Sequence, residues 1–318
     1  MSIEIVRKVF FPSLDRKRTE AVDAGYRFAY YTSAATATLI LQNQQLWLRS
    51  TQVMNDHSEV VHGAKGMYRS LSTDIGKAFY AAIDSCHSNA SSELQKLLDD
   101  RLPFMLADTF ISCLSEHEKS DDKLGRLSMW RAYGGDAGVA IVFRQAPFLS
   151  EEISVGAYTY PVMYGSEVSA LAEIHEVSKR VTEHNDLIKA IPRQQFLDLL
   201  LESLRSIAIA TKHEAFAEER EWRLVACPTF LSSKYLTQEV RCVGSISQVV
   251  QVLHIGEAAT DGISELSPDE LIDRILIGPT EYAHVLYRSM VEILKKLGVQ
   301  NAHERVHITD IPLRSNQR

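Results

Sequence analysis

Short apolar segments alternate along the chain with longer stretches of helical periodicity. The short segments are rich in aromatic and β-branched residues, and several are bounded by Gly, Ser, Asp or Asn, a pattern typical of β-strands. We predict strands at Phe28–Tyr31, Leu46–Arg49, Thr109–Ser115, Gly138–Phe143, Val155–Tyr164, Glu221–Ala226, Val249–Leu253, Arg274–Ile277 and Val306–Ile308.

Helical periodicity fills most of the sequence between these strands. We predict helices at Ala34–Asn43, Ser58–Leu71, Thr73–Ser85, Ser91–Asp100, Ser166–Ile191, Arg193–Glu218 and Glu281–Leu297. Strands and helices alternate without a regular βαβ order, and no glycine-rich phosphate loop follows a strand. These features favour a mixed α+β fold built on split sheets and argue against Rossmann and P-loop folds.

The composition is that of a globular protein, because 45% of the 318 residues are hydrophobic and can form a sizeable core. Neither a repeat nor a Pro- or Gly-rich linker interrupts the sequence. We therefore predict a single domain over residues 1–318, with helical additions at about residues 58–100 and 166–218. The formal net charge of −7 argues against general electrostatic binding to nucleic acid or anionic lipid, but leaves a local basic groove open.

The cysteines and the apolar runs bear on the cellular compartment. Cys86, Cys113, Cys227 and Cys242 are scattered and form no CxxC pair, which argues against zinc ribbons and disulfide frameworks. The N-terminal segment has no apolar core with a cleavage site, and no apolar run approaches the roughly 18 residues of a membrane helix. We therefore expect a soluble cytoplasmic protein with reduced thiols and no membrane partner.

A late strand with an acidic start carries the most informative group of charges. Because side chains alternate along a strand, Glu219, Glu221 and Arg223 share one face. Trp222 and Leu224 share the other face and can enter a core. Two neighbouring carboxylates push their pKa values apart, which suits one to charge stabilisation and the other to base chemistry. The alternative is a solvated strand face on which the glutamates only pair with adjacent arginines.

Hydroxyl groups are a second source of candidate chemistry. The first predicted strand enters a helix through the sequence YYTS at residues 30–33, and hydroxyls at a helix N-terminus can bind a ribose or a phosphate. A strand followed by a capped helix nevertheless needs no ligand. Ser112 and Ser115 lie on opposite faces of their predicted strand, so at most one points into any site. His57 and His62 are poorly spaced for two ligands on one helical face, and we predict no metal site.

Several short motifs occur in a fixed order between about residue 26 and residue 315. They are Tyr30-Tyr31-Thr32-Ser33, Asn55-Asp56 with Glu59, Ser112-Cys113-Leu114-Ser115, Met129-Trp130 with Tyr133, Gly138–Phe143, Glu219-Arg220-Glu221-Trp222-Arg223, Ile275-Leu276-Ile277-Gly278-Pro279 and Ile311-Pro312-Leu313-Arg314. Each motif is weak alone, but the ordered set resembles a bacterial family known as domain of unknown function 2971.

That family is remotely similar to the ADP-ribosyltransferase fold, in which split antiparallel sheets hold NAD in a cleft. The resemblance implies NAD as a substrate, no metal, Glu221 as the catalytic glutamate and Glu219 as the second acid. It implies an NAD-binding set of Tyr30, Tyr31, Thr32, Ser33, Arg49, Asn55, Ser112, Ser115, Trp130 and Tyr133. The chain departs from the family pattern at Tyr30, where a histidine is usual, and at His57, where a proline is usual.

The reaction implied by the resemblance breaks the bond between nicotinamide and ribose with oxocarbenium character, as in glycoside hydrolysis. Glu221 stabilises the developing cation in this scheme, and Glu219 orients or deprotonates the acceptor. Tyr30, Trp130 or Tyr133 stacks on the nicotinamide. We therefore predict an ADP-ribosyltransferase-like enzyme, a bacterial toxin or phage-defence effector. Its partners are a protein or nucleic-acid acceptor and an inhibitor or antitoxin.

Two alternatives stay open at this point. One is an NAD glycohydrolase with water as the acceptor, and the other is a non-catalytic binding protein that keeps the fold without the early histidine. Two structural expectations follow from the scheme. Tyr31 and Glu221 should flank one cleft, and Glu221→Gln should leave folding nearly unchanged, because a cleft-facing glutamate contributes little to a core.

Overall fold

The computed structural model describes residues 2–52, 57–150, 155–243 and 246–312. Its strands are β1 (Arg27–Ser33), β2 (Gln45–Ser50), β3 (Phe110–His117), β4 (Gly138–Phe143), β5 (Tyr158–Pro161), β6 (Met163–Tyr164), β7 (Thr211–Lys212), β8 (Glu221–Ala226), β9 (Leu236–Val243), β10 (Ile246–His254), β11 (Ile272–Ile277) and β12 (Val306–Ile308). Its α-helices are α1 (Ile3–Phe10), α2 (Pro12–Ala24), α3 (Ala34–Asn43), α4 (His57–Leu71), α5 (Asp74–Cys86), α6 (Ala90–Ala107), α7 (Leu127–Tyr133), α8 (Ala146–Leu149), α9 (Ser166–Glu183), α10 (Asn185–Lys189), α11 (Arg193–Ile209), α12 (Ile255–Thr260), α13 (Pro268–Leu271), α14 (Ala283–Lys296) and α15 (Ala302–Arg305). Among the helices of these ranges, none combines the length and the hydrophobicity of a membrane span.

One large mixed sheet organises the molecule. Its strands follow the order β12-β11-β4-β1-β3-β2-β10-β9, and β8 pairs with both β3 and β5 beside this path. The β11–β12 pair is parallel, and the other pairings of this sheet are antiparallel. A separate parallel pair joins β6 and β7. The predicted α+β class is therefore confirmed, but the strands form one large mixed sheet where split sheets were predicted.

The sheet divides at β3. Strand β1 pairs with the C-terminal end of β3, where Ala29 lies opposite Ser115, and β2 pairs with the N-terminal end, where Arg49 lies opposite Ile111. Strand β8 pairs along the other edge of β3, from Phe110 to Ser115. In the described sheet β1 and β2 share one edge of β3 without pairing with each other. The part of the sheet that contains β1 therefore diverges from the part that contains β2.

Different helices cover the two faces of the sheet. Helices α3 and α14 pack on one face, around buried side chains that include Phe28, Leu48 and Trp222. The predicted core position of Trp222 is thereby confirmed. On the opposite face α7 packs near β1, where Trp130 contacts Tyr31 edge-on with ring centroids 4.8 Å apart.

The two predicted helical blocks pack against each other and form a layer with its own hydrophobic core. Helices α4, α5, α6, α9 and α11 contribute most of this core, which includes the fully buried Met67, Phe79 and Phe196. A smaller cluster that contains Val60 and Val225 joins the layer to the sheet. The single-domain organisation stays a prediction, since limited proteolysis would show whether the helical layer folds by itself.

Some predicted elements were wrong in their extent. The helix predicted from Arg193 to Glu218 ends at Ile209, because the chain then pairs with β6 as strand β7. The strand predicted from Val155 begins only at Tyr158 and is divided into β5 and β6. Helices α1 and α2 and strand β9 were not predicted. In α2, charged residues are numerous and few positions are buried, so the sequence shows no clear apolar face. Strand β9 lies at a sheet edge, and its sequence shows little alternation of apolar and polar residues.

Candidate functional site

A cavity of about 300 Å³ lies where β1 and β2 diverge. It is lined by Ala29, Tyr30, Tyr31, Thr32, Trp47, Arg49, Ile111, Ser112, Cys113, Leu114, Met129, Tyr133, Glu219 and Glu221. Small-molecule sites in proteins usually have volumes of about 300–1,000 Å³. The cavity is therefore large enough for a small ligand or for one end of a longer ligand.

Tyr31 of β1 and Glu221 of β8 line this cavity together, which confirms the predicted proximity of two segments far apart in the sequence. The register of the sheet explains it. Ala29 and Glu221 lie opposite the same residue, Ser115, from the two edges of β3. Antiparallel pairing with β3 therefore places the start of β8 and the middle of β1 on the two edges of the same part of β3.

A buried lysine connects the acidic side chains of the site. The Nζ atom of Lys212 lies 2.8 Å from Glu221 Oε2 and 2.9 Å from Glu219 Oε2. It also lies 3.6 Å from Oε1 of Glu59. The Nε atom of Arg223 donates to Glu221 Oε1 at 2.7 Å, and the same guanidinium binds Glu59 Oε2 at 2.6 Å. We call these five side chains the Lys212 cluster.

The Glu221 carboxylate is ionised inside the protein. Only 4% of the residue is exposed, so its charge must be balanced by neighbouring groups. Burial raises the pKa of Glu221, but the positive charges of Arg223 and Lys212 outweigh burial and hold the pKa at about 2. All residues of β8 are buried, so the alternative of a solvated strand face is wrong, although the pairing of Glu221 with Arg223 that it included is present. The expectation that Glu221→Gln leaves folding unchanged assumed a glutamate that contributes little to the core. Glu221 is instead buried and ion-paired, so that assumption is wrong.

Glu219 reaches the cluster from a different element. It ends the short 3₁₀ helix before β8. The prediction that Glu219 and Glu221 share one face of a regular strand is therefore wrong. Arg220 adopts a left-handed conformation, with φ of 46°, and turns the chain between the two acids. The Tyr133 hydroxyl donates to Glu219 Oε1 at 3.4 Å. Burial, and then the charge of Glu219, raise the pKa of Tyr133, so this hydroxyl keeps its proton.

Four further residues of the predicted NAD-binding set contribute polar atoms to the cavity: Tyr30, Thr32, Arg49 and Ser112. Arg49 donates through Nε to Gln248 Oε1 at 3.1 Å, which holds its guanidinium at the cavity. Burial raises the pKa of the Tyr30 hydroxyl, which lies close to Ser112. Among the described residues, Ser112 Oγ has no hydrogen-bond partner of good geometry, although it is buried. A ligand in the cavity can supply that partner.

Trp130 belongs to the predicted set but does not line the cavity. Its indole lies in a narrow slot, where a Cβ atom built on Gly278 would come within 2.7 Å of the ring. The indole Nε1 donates to the carbonyl oxygen of Leu124 at 2.8 Å. Trp130 therefore acts as a packing residue that supports Tyr31, and stacking on a nicotinamide ring stays a prediction for Tyr30 and Tyr133.

Ser33 and Ser115 also lie outside the cavity lining. Ser33 caps α3, where its Oγ accepts a hydrogen bond from the backbone N–H of Thr36 at 3.2 Å. Ser115 Oγ donates to the carbonyl oxygen of Glu219 and accepts from Arg126. These contacts give Ser115 a positioning role, because they fix the turn that presents Glu219.

The sequence reasoning missed Lys212 and Tyr164. Lys212 fell within a predicted helix, where nothing marks a lysine that will be buried. Tyr164, on β6, accepts a hydrogen bond from the backbone N–H of Glu221 at 2.8 Å. Glu59 was noted within a motif but given no role, although it completes the Lys212 cluster. Asn55, a predicted NAD-binding residue, lies outside the described residues.

Comparisons with known proteins agree with part of the resemblance. Neither the curated proteins nor the solved structures gave a match. Within the described ranges, no group of three or more His, Cys, Asp or Glu side chains is arranged to hold a metal ion. Over the segment that supplies Tyr133, Lys212 and Glu221 to the site, the chain is similar to the family described as Protein of unknown function (DUF2971), whose model matches residues 129–224.

Proposed function

We propose that the cavity binds the nicotinamide–ribose end of NAD and that the chain is an NAD-consuming enzyme of the ADP-ribosyltransferase type. The proposal starts from the sequence resemblance described above. One observation carries it, namely that Tyr31, Glu219 and Glu221 meet at a cavity between two diverging parts of the sheet. The resemblance implies this same arrangement, with an acid pair beside the nicotinamide ribose.

The charge of the Lys212 cluster suits a cationic group. Its three carboxylates and two cations leave one net negative charge among these five side chains, while Arg49 adds a positive charge elsewhere in the cavity lining. The nicotinamide ring of NAD is positively charged, and this charge moves to the ribose when the bonding electron pair leaves with nicotinamide. A fixed negative charge beside that bond stabilises the oxocarbenium character of the transition state.

The two acids of the cavity suit different steps. Lys212 and Arg223 hold the Glu221 carboxylate in one position and in its ionised form, so it can bind a ribose hydroxyl and face the developing cation. Glu219 has 15% of its side chain exposed, against 4% for Glu221. An acceptor enters from solvent, so the more exposed acid is the one placed to orient or deprotonate it.

Incubation of the full chain with NAD tests this proposal. We expect release of nicotinamide, measured by chromatography. NAD labelled in the adenosine half then identifies the acceptor, because label on protein or nucleic acid indicates a transferase and free ADP-ribose alone indicates a glycohydrolase. A chain that neither binds NAD nor releases nicotinamide contradicts the proposal. The macromolecular acceptor and an inhibitor protein stay predictions from the resemblance.

The ion pairs of Glu221 favour a second function, which is NAD binding without turnover. Both of its carboxylate oxygens already bind cations, Oε2 through Lys212 and Oε1 through Arg223, and this reduces the charge available to an oxocarbenium ion. Tyr30 also stands where the family usually has histidine. Binding of NAD without nicotinamide release indicates this function. Tyr30→His then becomes informative, since gained turnover indicates a fold inactivated at that position.

A further inference from the structure

Strand β9 forms an open edge of the large sheet. It is eight residues long and pairs with β10 in an unbroken register, from Leu236 opposite Leu253 to Val243 opposite Ile246. In the described sheet no strand pairs with the other edge of β9. An edge strand carries backbone N–H and C=O groups that can pair with a further strand. The open edge of β9 is therefore a candidate interaction surface.

The pairing with β10 fixes which backbone groups face this edge. The N–H of His254 donates to the carbonyl oxygen of Tyr235, the residue opposite it, at 2.8 Å. Hydrogen-bonded and non-hydrogen-bonded pairs alternate along an antiparallel ladder. Counted from Tyr235, Glu239 and Arg241 therefore direct their backbone groups to β10. Val240, and the residues two positions away on either side of it, direct their N–H and C=O groups to the open edge.

Two opposite charges flank Val240 on the same strand. Glu239 and Arg241 share one face of β9 and form an ion pair with each other. Their side chains are 30% and 40% exposed, and Val240, on the other face, is 69% exposed. The Arg241 guanidinium also lies over the Trp47 ring, 5.5 Å from its centroid. This contact uses the flat face of the guanidinium, whose N–H donors lie along its edge. Both charges are therefore accessible to a second strand.

A second copy of β9 complements this pattern in one antiparallel register. A two-fold axis at Val240 pairs the backbone groups of the two valines, and it places Glu239 opposite the partner's Arg241 on both sides of the axis. These charged positions form non-hydrogen-bonded pairs, in which side chains approach most closely. An axis at Glu239 or at Arg241 places like charges opposite each other, which is destabilising. An axis at Gln238 or Cys242 leaves both charges without an opposite charge across the axis.

We propose that β9 joins two copies of this chain into a symmetric dimer with one continuous sheet. Glu239 and Arg241 form two cross-strand ion pairs with the second copy, and the two exposed Val240 side chains cover each other. One strand from each copy makes a small interface, so the dimer is weak and dissociates on dilution. The proposal does not rest on NAD chemistry. It places a second copy beside the guanidinium that lies over Trp47, a residue of the candidate-site cavity.

Sedimentation velocity of the full chain, over about a hundredfold range of concentration, tests this proposal. We expect a monomer–dimer equilibrium that shifts towards monomer as salt is added. Glu239→Arg and Arg241→Glu should each weaken the dimer at least about tenfold, because each places like charges opposite each other twice. The matched control is Glu167→Arg, which reverses an exposed, ion-paired glutamate on α9 and should leave the dimer unchanged.

Mixing the two charge-reversed variants separates the register of the strands from effects on folding. One variant then carries two positive charges at these positions and the other carries two negative charges, so both cross-strand pairs are again attractive. We expect a mixed dimer from two variants that do not dimerise alone. Hydrogen exchange adds a measurement on the wild-type chain, in which the amides of Gln238, Val240 and Cys242 should exchange more slowly at concentrations that favour the dimer.

Several results overturn the proposal. A chain that stays monomeric at every concentration leaves the β9 edge to a different partner or to solvent. Association that survives both charge reversals, or a mixture of the variants that does not associate, assigns the contact to another surface or register. A wild-type dimer in which the β9 amides exchange as fast as in the monomer does the same.

Discussion

The ammonium group of Lys212 lies between the two acids of the candidate site, 2.8 Å from Glu221 and 2.9 Å from Glu219. Only 4% of the Lys212 side chain is exposed, so these charges are balanced mainly within the protein and little by solvent. The same contacts therefore affect both the stability of the fold and the electrostatics of the cavity. Substitutions can separate the two effects.

Replacing Lys212 tests the structural part of this arrangement. Lys212→Met should lower the free energy of unfolding by about 3–5 kcal/mol, because it leaves buried carboxylates with fewer cationic partners. The matched control is Lys77→Met, since Lys77 pairs with Asp74 on an exposed surface and should contribute little. Urea denaturation followed by circular dichroism measures both. Equal, small effects would show that solvent compensates the Lys212 cluster.

The pH dependence of stability reports on Glu221. Its pKa is about 2 in the folded protein, below its ordinary value of 4.5, so folding favours the ionised form. The resulting stabilisation, about 3 kcal/mol, is present above pH 4.5 and is lost as the pH falls from 4.5 towards 2. In Glu221→Gln the decline of unfolding free energy over this range should be shallower. Parallel declines in denaturation series from pH 6 to pH 2.5 would rule out the assignment.

Two glycines of α4 make a matched test of the helical layer. A Cβ atom on Gly63 would lie 2.3 Å from the carbonyl oxygen of Ala208, so this glycine allows α4 and α11 to approach closely. Gly63→Ala should therefore destabilise the protein by about 1–3 kcal/mol. At Gly66 the nearest atom would be 3.6 Å away, in Glu167, so Gly66→Ala should stabilise it by about 0.5–1 kcal/mol. Thermal unfolding measures both, and effects of the same sign would contradict the packing described.

Two charge-removing variants test the separate roles proposed for Glu221 and Glu219 in the cavity. Glu221→Gln should slow nicotinamide release about a hundred- to thousandfold, equivalent to about 3–4 kcal/mol in the barrier, because the charge facing the cation is lost. Glu219→Gln should reduce transfer to an acceptor more than nicotinamide release. Glu257→Gln, with an exposed side chain, is the control.

These rates are measured at a temperature at which each variant is fully folded, because Glu221 also supports the fold. The assay follows free nicotinamide and labelled product in the same samples. If Glu221→Gln destabilises the protein but leaves the rate of nicotinamide release unchanged, Glu221 has a structural role only.

The strands were predictable where local alternation marks a buried face. Trp222 and Leu224 follow such a pattern, and both are buried in the main core. The burial and ion pairing of Glu221 were not predictable in this way. Alternation shows which residues share a face of a strand, but it does not show which residues cover that face. Here the cover includes Glu59 and Lys212, which come from elements distant in the sequence.

By itself, the sequence determined the α+β class, the positions of most strands and, through the order of its motifs, the segments that meet at the candidate site. Only the tertiary structure decided that Lys212 and Arg223 neutralise most of the charge of Glu221 and that Trp130 supports Tyr31 from outside the cavity. The physical reason is that periodicity depends on near neighbours in the chain. Burial, ion pairing and cavity shape depend on which distant residues the sheet brings together.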